Sequence, residues 1–202
     1  VRDMQALVRT SRRATYADYL AVARDSPHRH ELIDGIIVAM AGGSDEHNAI
    51  AGQVAGLFAT RRQPECRYYT PDQRFWIAAN GRARYSDGSL LCGKPDHPPH
   101  DGQATLNPVV VLEVLSPSTE GDDQGDKRID FQSLASLRAY VLASQDQRRI
   151  AIWRRDSAGG WPLEPEVYGD GASFVLPAVR DPVTVDEVYA GILDAEGRSL
   201  LR

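Results

Sequence analysis

No apolar run in this chain approaches the roughly 20 residues that a membrane-spanning helix requires, so no membrane partner is expected. The opening residues, VRDMQALVRTSRR, lack the apolar core of a secretory signal. Cysteine is scarce. Cys66 and Cys92 are too few and too irregularly spaced for a disulfide framework, which makes a reducing cytoplasm the expected compartment. There is no excess of positive charge either: a net charge of −5 and a pI near 5.5 argue against indiscriminate nucleic-acid binding. A local basic face can still coexist with an acidic whole. Internal repeats, low-complexity tracts and interdomain linkers are all missing. The 202 residues therefore divide into a short tail over 1–14 and one domain over 15–202, long enough to bury a sizeable core.

What is present is organised around Pro108 to Thr119, PVVVLEVLSPST. Val109 to Leu112 is short, apolar and mostly β-branched, which fits a strand buried on both faces. Glu113 continues that run, followed by Val114 and Leu115. A carboxylate in such a place is costly unless a cation, a hydrogen-bonding network or a metal compensates it.

The remaining elements frame this strand. Thr15 can cap a helix running to Arg24, and His30 to Met40 reads as a hairpin turning at Asp34-Gly35. A helix starts at Ser44 with Asp45 and Glu46 in its first turn and Arg61-Arg62 at its end, and its inward face carries His47, Ile50 and Val54. Strands are expected at Arg67 to Thr70, at Arg74 to Ala78, and from Arg82 to Cys92 with an interruption near Asp87-Gly88. Gly93 to Asn107 reads as a surface loop, and Gln124 to about Ala139 as a helix whose buried face is headed by Lys127. Further strands are expected at Tyr140 to Leu142, Arg149 to Trp153, Glu166 to Tyr168 and Ser173 to Leu176. A terminal helix is expected over Asp186 to Leu193. The sum is an α/β domain with a mixed central sheet, flanking helices and an N-terminal hairpin.

Four ionisable residues fall where the pattern places burial or a strand end: Glu31, Asp87, Glu113 and Lys127. Two carboxylates with several waters are a usual way to hold Mg2+, and a lysine nearby can orient a nucleophilic water or stabilise a charged transition state. A structural Glu113–Lys127 ion pair in an inert core accounts for the same spacing. On spacing alone both stay open.

HELIDG, a helix beginning near His47, a lone Asp87 on a strand, and VVVLEVLSPST followed by Asp126-Lys127 together resemble the Uma-two family of restriction-endonuclease-like proteins. That family lies within the PD-(D/E)xK nuclease superfamily. The likeness runs from about Tyr16 to Trp153 and implies a restriction-endonuclease-like core, a Mg2+ (or Mn2+) site and phosphodiester hydrolysis. By this resemblance Asp87 and Glu113 are the two metal-binding acids and Glu31 an additional acid of the metal site. Lys127 is a migrated replacement for the lysine that Leu115 displaces, and His47 is an accessory residue. Ser86 stands where the pattern has proline, and Gly88-Ser89 where it has a β-branched run.

The resulting expectation is a metal-dependent DNA endonuclease, acting as a homodimer because two strands need two sites. The alternative is a catalytically inactive nuclease-like domain that binds nucleic acid or a protein partner. Weaker patterns point elsewhere. Cys92, Asp96, His97, His100 and Asp101 match no standard zinc spacing. Arg61, Arg62, Arg82, Arg84, Arg128 and Arg138 read as scattered surface charges before phosphate contacts, and Trp153, Trp161 and Tyr168 as core and strand residues.

Overall fold

The computed structural model describes residues 13–116, 120–193, 197–199 and 201. The tail over 1–12 and Pro117, Ser118 and Thr119 of the central stretch lie outside them. Helix α1 (Tyr16–Asp25) begins in a capping box in which Thr15 and Asp18 each accept from the other's backbone N–H. The hairpin follows as β1 (His30–Ile33) and β2 (Ile36–Ala39), with Asp34 and Gly35 both at positive φ in its turn. Helix α2 (Asp45–Arg61) starts at a Ser44 N-cap and buries Ile50, Val54 and Phe58.

Strands β3 (Cys66–Tyr69), β4 (Arg74–Ile77), β5 (Arg82–Tyr85) and β6 (Gly88–Cys92) come next. The interruption at Asp87 is a change of sheet. β5 joins a five-stranded sheet in the order β2-β1-β5-β4-β7, where β7 is Ala104–Thr105. β6 joins a six-stranded sheet in the order β11-β10-β9-β8-β6-β3. In that second sheet β8 (Val110–Leu115) is buried at every position and runs parallel to β9 (Ala139–Ser144), flanked by β10 (Ile150–Arg154) and β11 (Glu166–Tyr168). It is the mixed central sheet that the sequence implied. One face packs on α2, with Val110, Leu112 and Val114 against Ile50, Val54 and Phe58; the other packs Val111 and Leu115 with Phe131, Tyr140 and Leu142.

Several expectations need correction. The polar stretch before Lys127 contains a helix, α3 (Glu120–Gln124). The long helix expected to reach Ala139 is only α4 (Asp126–Gln132), because the chain must turn into β9; Arg155 donates to the carbonyls of Gln132, Leu134 and Ala135 in that turn. Gly93 to Asn107 is not merely a surface loop, since Asp101 is buried against Arg74 in a bidentate pair. The terminal helix is a single turn, α5 (Val185–Val188), after the short strands β12 (Ser173–Phe174) and β13 (Val183–Thr184).

Cys66 and Cys92 form a disulfide. Antiparallel pairing of β3 with β6 sets them directly opposite one another, an encounter that their separation of 26 residues conceals. Cross-linking across a loop of that length removes unfolded-chain entropy worth roughly 3–4 kcal/mol. The Cys66→Ser/Cys92→Ser variant is accordingly expected to unfold at lower urea concentration than the oxidised protein, and to match the reduced wild type. Coincident curves for oxidised and reduced wild type would contradict this.

Among the described residues no helix is long and apolar enough to cross a membrane.

Candidate active site

The crossover between the two sheets creates the site. Asp87 lies between β5 and β6, and the ladder that pairs Gly88 with Leu112 sets it beside Glu113. Its Oδ2 accepts from the Val114 amide at 2.7 Å and lies 3.0 Å from His47 Nε2. His47 reaches it from the first turn of α2, on one face of the central sheet. Burial pushes the Asp87 carboxyl up, but His47, Lys127 and the Val114 amide outweigh it and hold the group below its ordinary range. For His47 burial works downward, and the Asp87 contact reverses it, leaving the imidazole above its ordinary value.

Glu113 approaches from the opposite face. It is 1% exposed, and its Oε2 accepts from Lys127 Nζ at 2.9 Å while Oε1 is buried with no hydrogen-bond partner among the described residues. Burial raises its carboxyl well above the ordinary range, with Asp123 and Asp87 adding to the effect against Lys127. Burial would lower the Lys127 ammonium, but the charges of Glu113, Asp123, Glu31 and Asp87 outweigh it and raise the group above its ordinary value. Lys127 sits in the first turn of α4, with Phe131 one turn later in the core; this is why helical spacing could foresee its inward direction.

Asp123 is the residue that sequence reasoning missed. It is 2% exposed on α3, with Oδ1 3.3 Å from Lys127 Nζ. The signal available was its spacing of four before Lys127, obscured by the surrounding acidic, polar run.

Glu31 is placed one layer away. Its Oε1 accepts from the Tyr85 amide at 2.9 Å and its Oε2 from Arg84 Nη1 at 3.0 Å. Arg84, expected on the surface, is fully buried and also pairs with Asp122 and Asp130. Arg82 likewise turns inward, to Asp34 and Asp130. The structure thus gathers Asp87, Glu113, Lys127 and His47 with Asp123, and sets Glu31 behind them in an arginine-centred network.

Among the described residues no three His, Cys, Asp or Glu side chains converge to hold an ion by themselves. The loop pattern of Cys92, Asp96, His97, His100 and Asp101 is dispersed: Cys92 is in the disulfide, Asp101 pairs with Arg74, and His97 Nδ1 lies 2.7 Å from the Ala104 carbonyl.

Gly88 also has a steric role. A Cβ there would overlap the Tyr68 hydroxyl, which lies 3.4 Å from the Asp87 carbonyl. Gly88→Ala must displace either that ring or the Asp87–Gly88 peptide, at a cost of about 1–3 kcal/mol. Urea unfolding should register that loss, and a variant as stable as wild type would refute the close contact.

Comparison with known proteins agrees with this architecture. A family model described as "Putative restriction endonuclease" (Uma2) matches residues 16–182. Two Synechocystis proteins, each described as uncharacterized, are 28% identical. One, sll1609, aligns over 171 residues, 83% of this chain and 95% of its own; the other, slr1290, over 176 residues, 87% and 90%. A crystal structure from Anabaena variabilis, titled as a putative nuclease belonging to DUF820, superposes with a TM-score of 0.72 at 15% identity. It covers 89% of this chain and 99% of that one, and shares its fold.

Proposed function

We infer, from the premise that this chain belongs to the Uma2 family, that it is a metal-dependent phosphodiester hydrolase, a DNA endonuclease of the restriction-enzyme-like type. The observation that carries this is Glu113 Oε1, a buried carboxyl oxygen without a hydrogen-bond partner among the described residues, beside Asp87 and Lys127. A closed structural ion pair would leave no such oxygen. Hard divalent ions take oxygen ligands and keep several waters, so two acids suffice for Mg2+ or Mn2+.

In this proposal Asp87 and Glu113 hold the ion. Bound there, it would acidify a water and neutralise charge on the scissile phosphate. His47 and the Val114 amide orient Asp87 through Oδ2. Lys127 Nζ hydrogen-bonds the attacking water or a non-bridging phosphate oxygen. Glu31, which accepts one hydrogen bond on each oxygen, contributes negative potential and keeps a lone pair on each oxygen for a ligand role. A twofold homodimer would bring two such sites to one duplex. The Cys66–Cys92 disulfide removes the cysteine argument for a reducing cytoplasm.

Incubating duplex DNA, single-stranded DNA and RNA with Mg2+, Mn2+ or EDTA tests this. New ends are expected on DNA with a divalent ion and none in EDTA. Cleavage persisting in EDTA, or no cleavage of any substrate with either metal, would overturn it.

A second reading draws on the prior engagement of Asp87 Oδ2 and Glu113 Oε2, and on Ser86 at the position before the first acid. A binding-only domain would retard nucleic acid equally with and without Mg2+, and create no ends.

A further inference from the structure

We propose that Asp123 is a positioning residue that gives the Lys127 ammonium a second seat, so that the lysine keeps its place when a divalent cation takes Glu113. The inference rests on the nuclease reading above and deepens it.

Lys127 Nζ lies 2.9 Å from Glu113 Oε2 and 3.3 Å from Asp123 Oδ1. One ammonium therefore spans two carboxylates, 1% and 2% exposed. A cation arriving at Glu113 competes with Lys127 for that carboxylate and repels the ammonium at short range. A lysine held by Glu113 alone would be driven out of the site. With Asp123 alongside, it moves by a fraction of a hydrogen-bond length, stays charged and still faces the reacting phosphate.

The second seat is built into the backbone. Asp123 and Lys127 are four residues apart but on different helices, since α3 ends at Gln124 and α4 begins at Asp126. The break falls at Gly125, where a Cβ would come within 2.7 Å of the Gly121 carbonyl oxygen, so glycine permits the close turn. From beneath, the fully buried Tyr140 donates its hydroxyl to the Asp123 carbonyl at 2.9 Å. Buried acids that serve no partner are rare, and this one is anchored at the lysine the site depends on.

The test measures Mn2+ and Mg2+ binding to the metal-free protein by calorimetry, with and without a short duplex, alongside steady-state cleavage. Asp123→Asn should weaken metal binding by about tenfold or more, because Lys127 then concentrates on Glu113, and should lower kcat more than it changes KM. Adding Lys127→Met to that variant removes the competitor, so metal affinity should recover while cleavage stays lost. Tyr140→Phe keeps the carboxylate and loosens its anchor, and should show a smaller loss in the same direction. A merely structural Asp123 would give no recovery in the double variant. Unchanged binding and kcat in Asp123→Asn, or no recovery in the double variant, overturns this inference alone. A wild type that binds no cation even with duplex overturns the nuclease reading, and this inference with it.

Discussion

Glu113→Gln is expected to lower cleavage by about a thousandfold or more while leaving the protein folded at neutral pH. A metal acting on water and phosphate supplies several kcal/mol of transition-state stabilisation, and each ~1.4 kcal/mol is a factor of ten in rate. Glutamine keeps the shape of the side chain but replaces a charged ligand oxygen by a neutral amide. Stability should survive, because Glu113 is an acid crowded by Asp123 and Asp87, and Lys127 retains Asp123 when Glu113 loses its charge. The competing account makes the opposite prediction. Were Glu113 and Lys127 only a structural pair, removing one partner would cost about 3–5 kcal/mol of stability. Cleavage and thermal unfolding measured on the same preparation separate the two. Undiminished metal-dependent cleavage would remove Glu113 from the site.

The second large effect concerns stability. Arg84→Met should cost about 3–5 kcal/mol, a fall in Tm on the order of 10 °C for a chain of this size. Arg84 Nε lies 2.8 Å from Asp130 Oδ2, and Nη1 lies 3.0 Å from both Glu31 Oε2 and Asp122 Oδ2. Methionine fills similar space but leaves buried carboxylates without their cation. Asp130 keeps Arg82, at 3.0 Å, and Asn80, at 2.6 Å, so the loss falls mainly on Glu31 and on the link to α3. Adding Glu31→Gln should therefore restore part of the stability, a coupling that a thermodynamic cycle measures directly. A Tm within about 2 °C of wild type would mean that the network contributes little. Loss of this hub should also slacken α3 and α4, which carry Asp123 and Lys127.

These two residues differ in how visible they are beforehand. Glu113 stands out because a carboxylate in an apolar, β-branched run conflicts with its surroundings, and such conflicts are local. Lys127 is legible for a related reason, since its spacing to Phe131 obeys helical geometry, which is also local. Arg84 is not legible. RARY alternates as a half-exposed strand would, and nothing nearby indicates that α3, α4 and the hairpin bring three acids to it. Asp123 hides in a polar run for the same reason, and the disulfide hides because register, not spacing, sets Cys66 against Cys92.

The sequence by itself determined the α/β class, the central strand and the N-terminal hairpin, and it singled out Glu31, Asp87, Glu113 and Lys127 as ionisable residues at buried positions or strand ends, with an ion pair in an inert core equally compatible with their spacing. Periodicity and the cost of burying charge act within a few residues, so they are written into short stretches of chain. Only the tertiary structure decided that Asp87 lies where the chain leaves one sheet for another, that Glu31 faces Arg84, and that Asp123 shares Lys127 with Glu113. Those pairings join residues on separate elements, and their partners are selected by strand order and by the crossing of helices over the sheet.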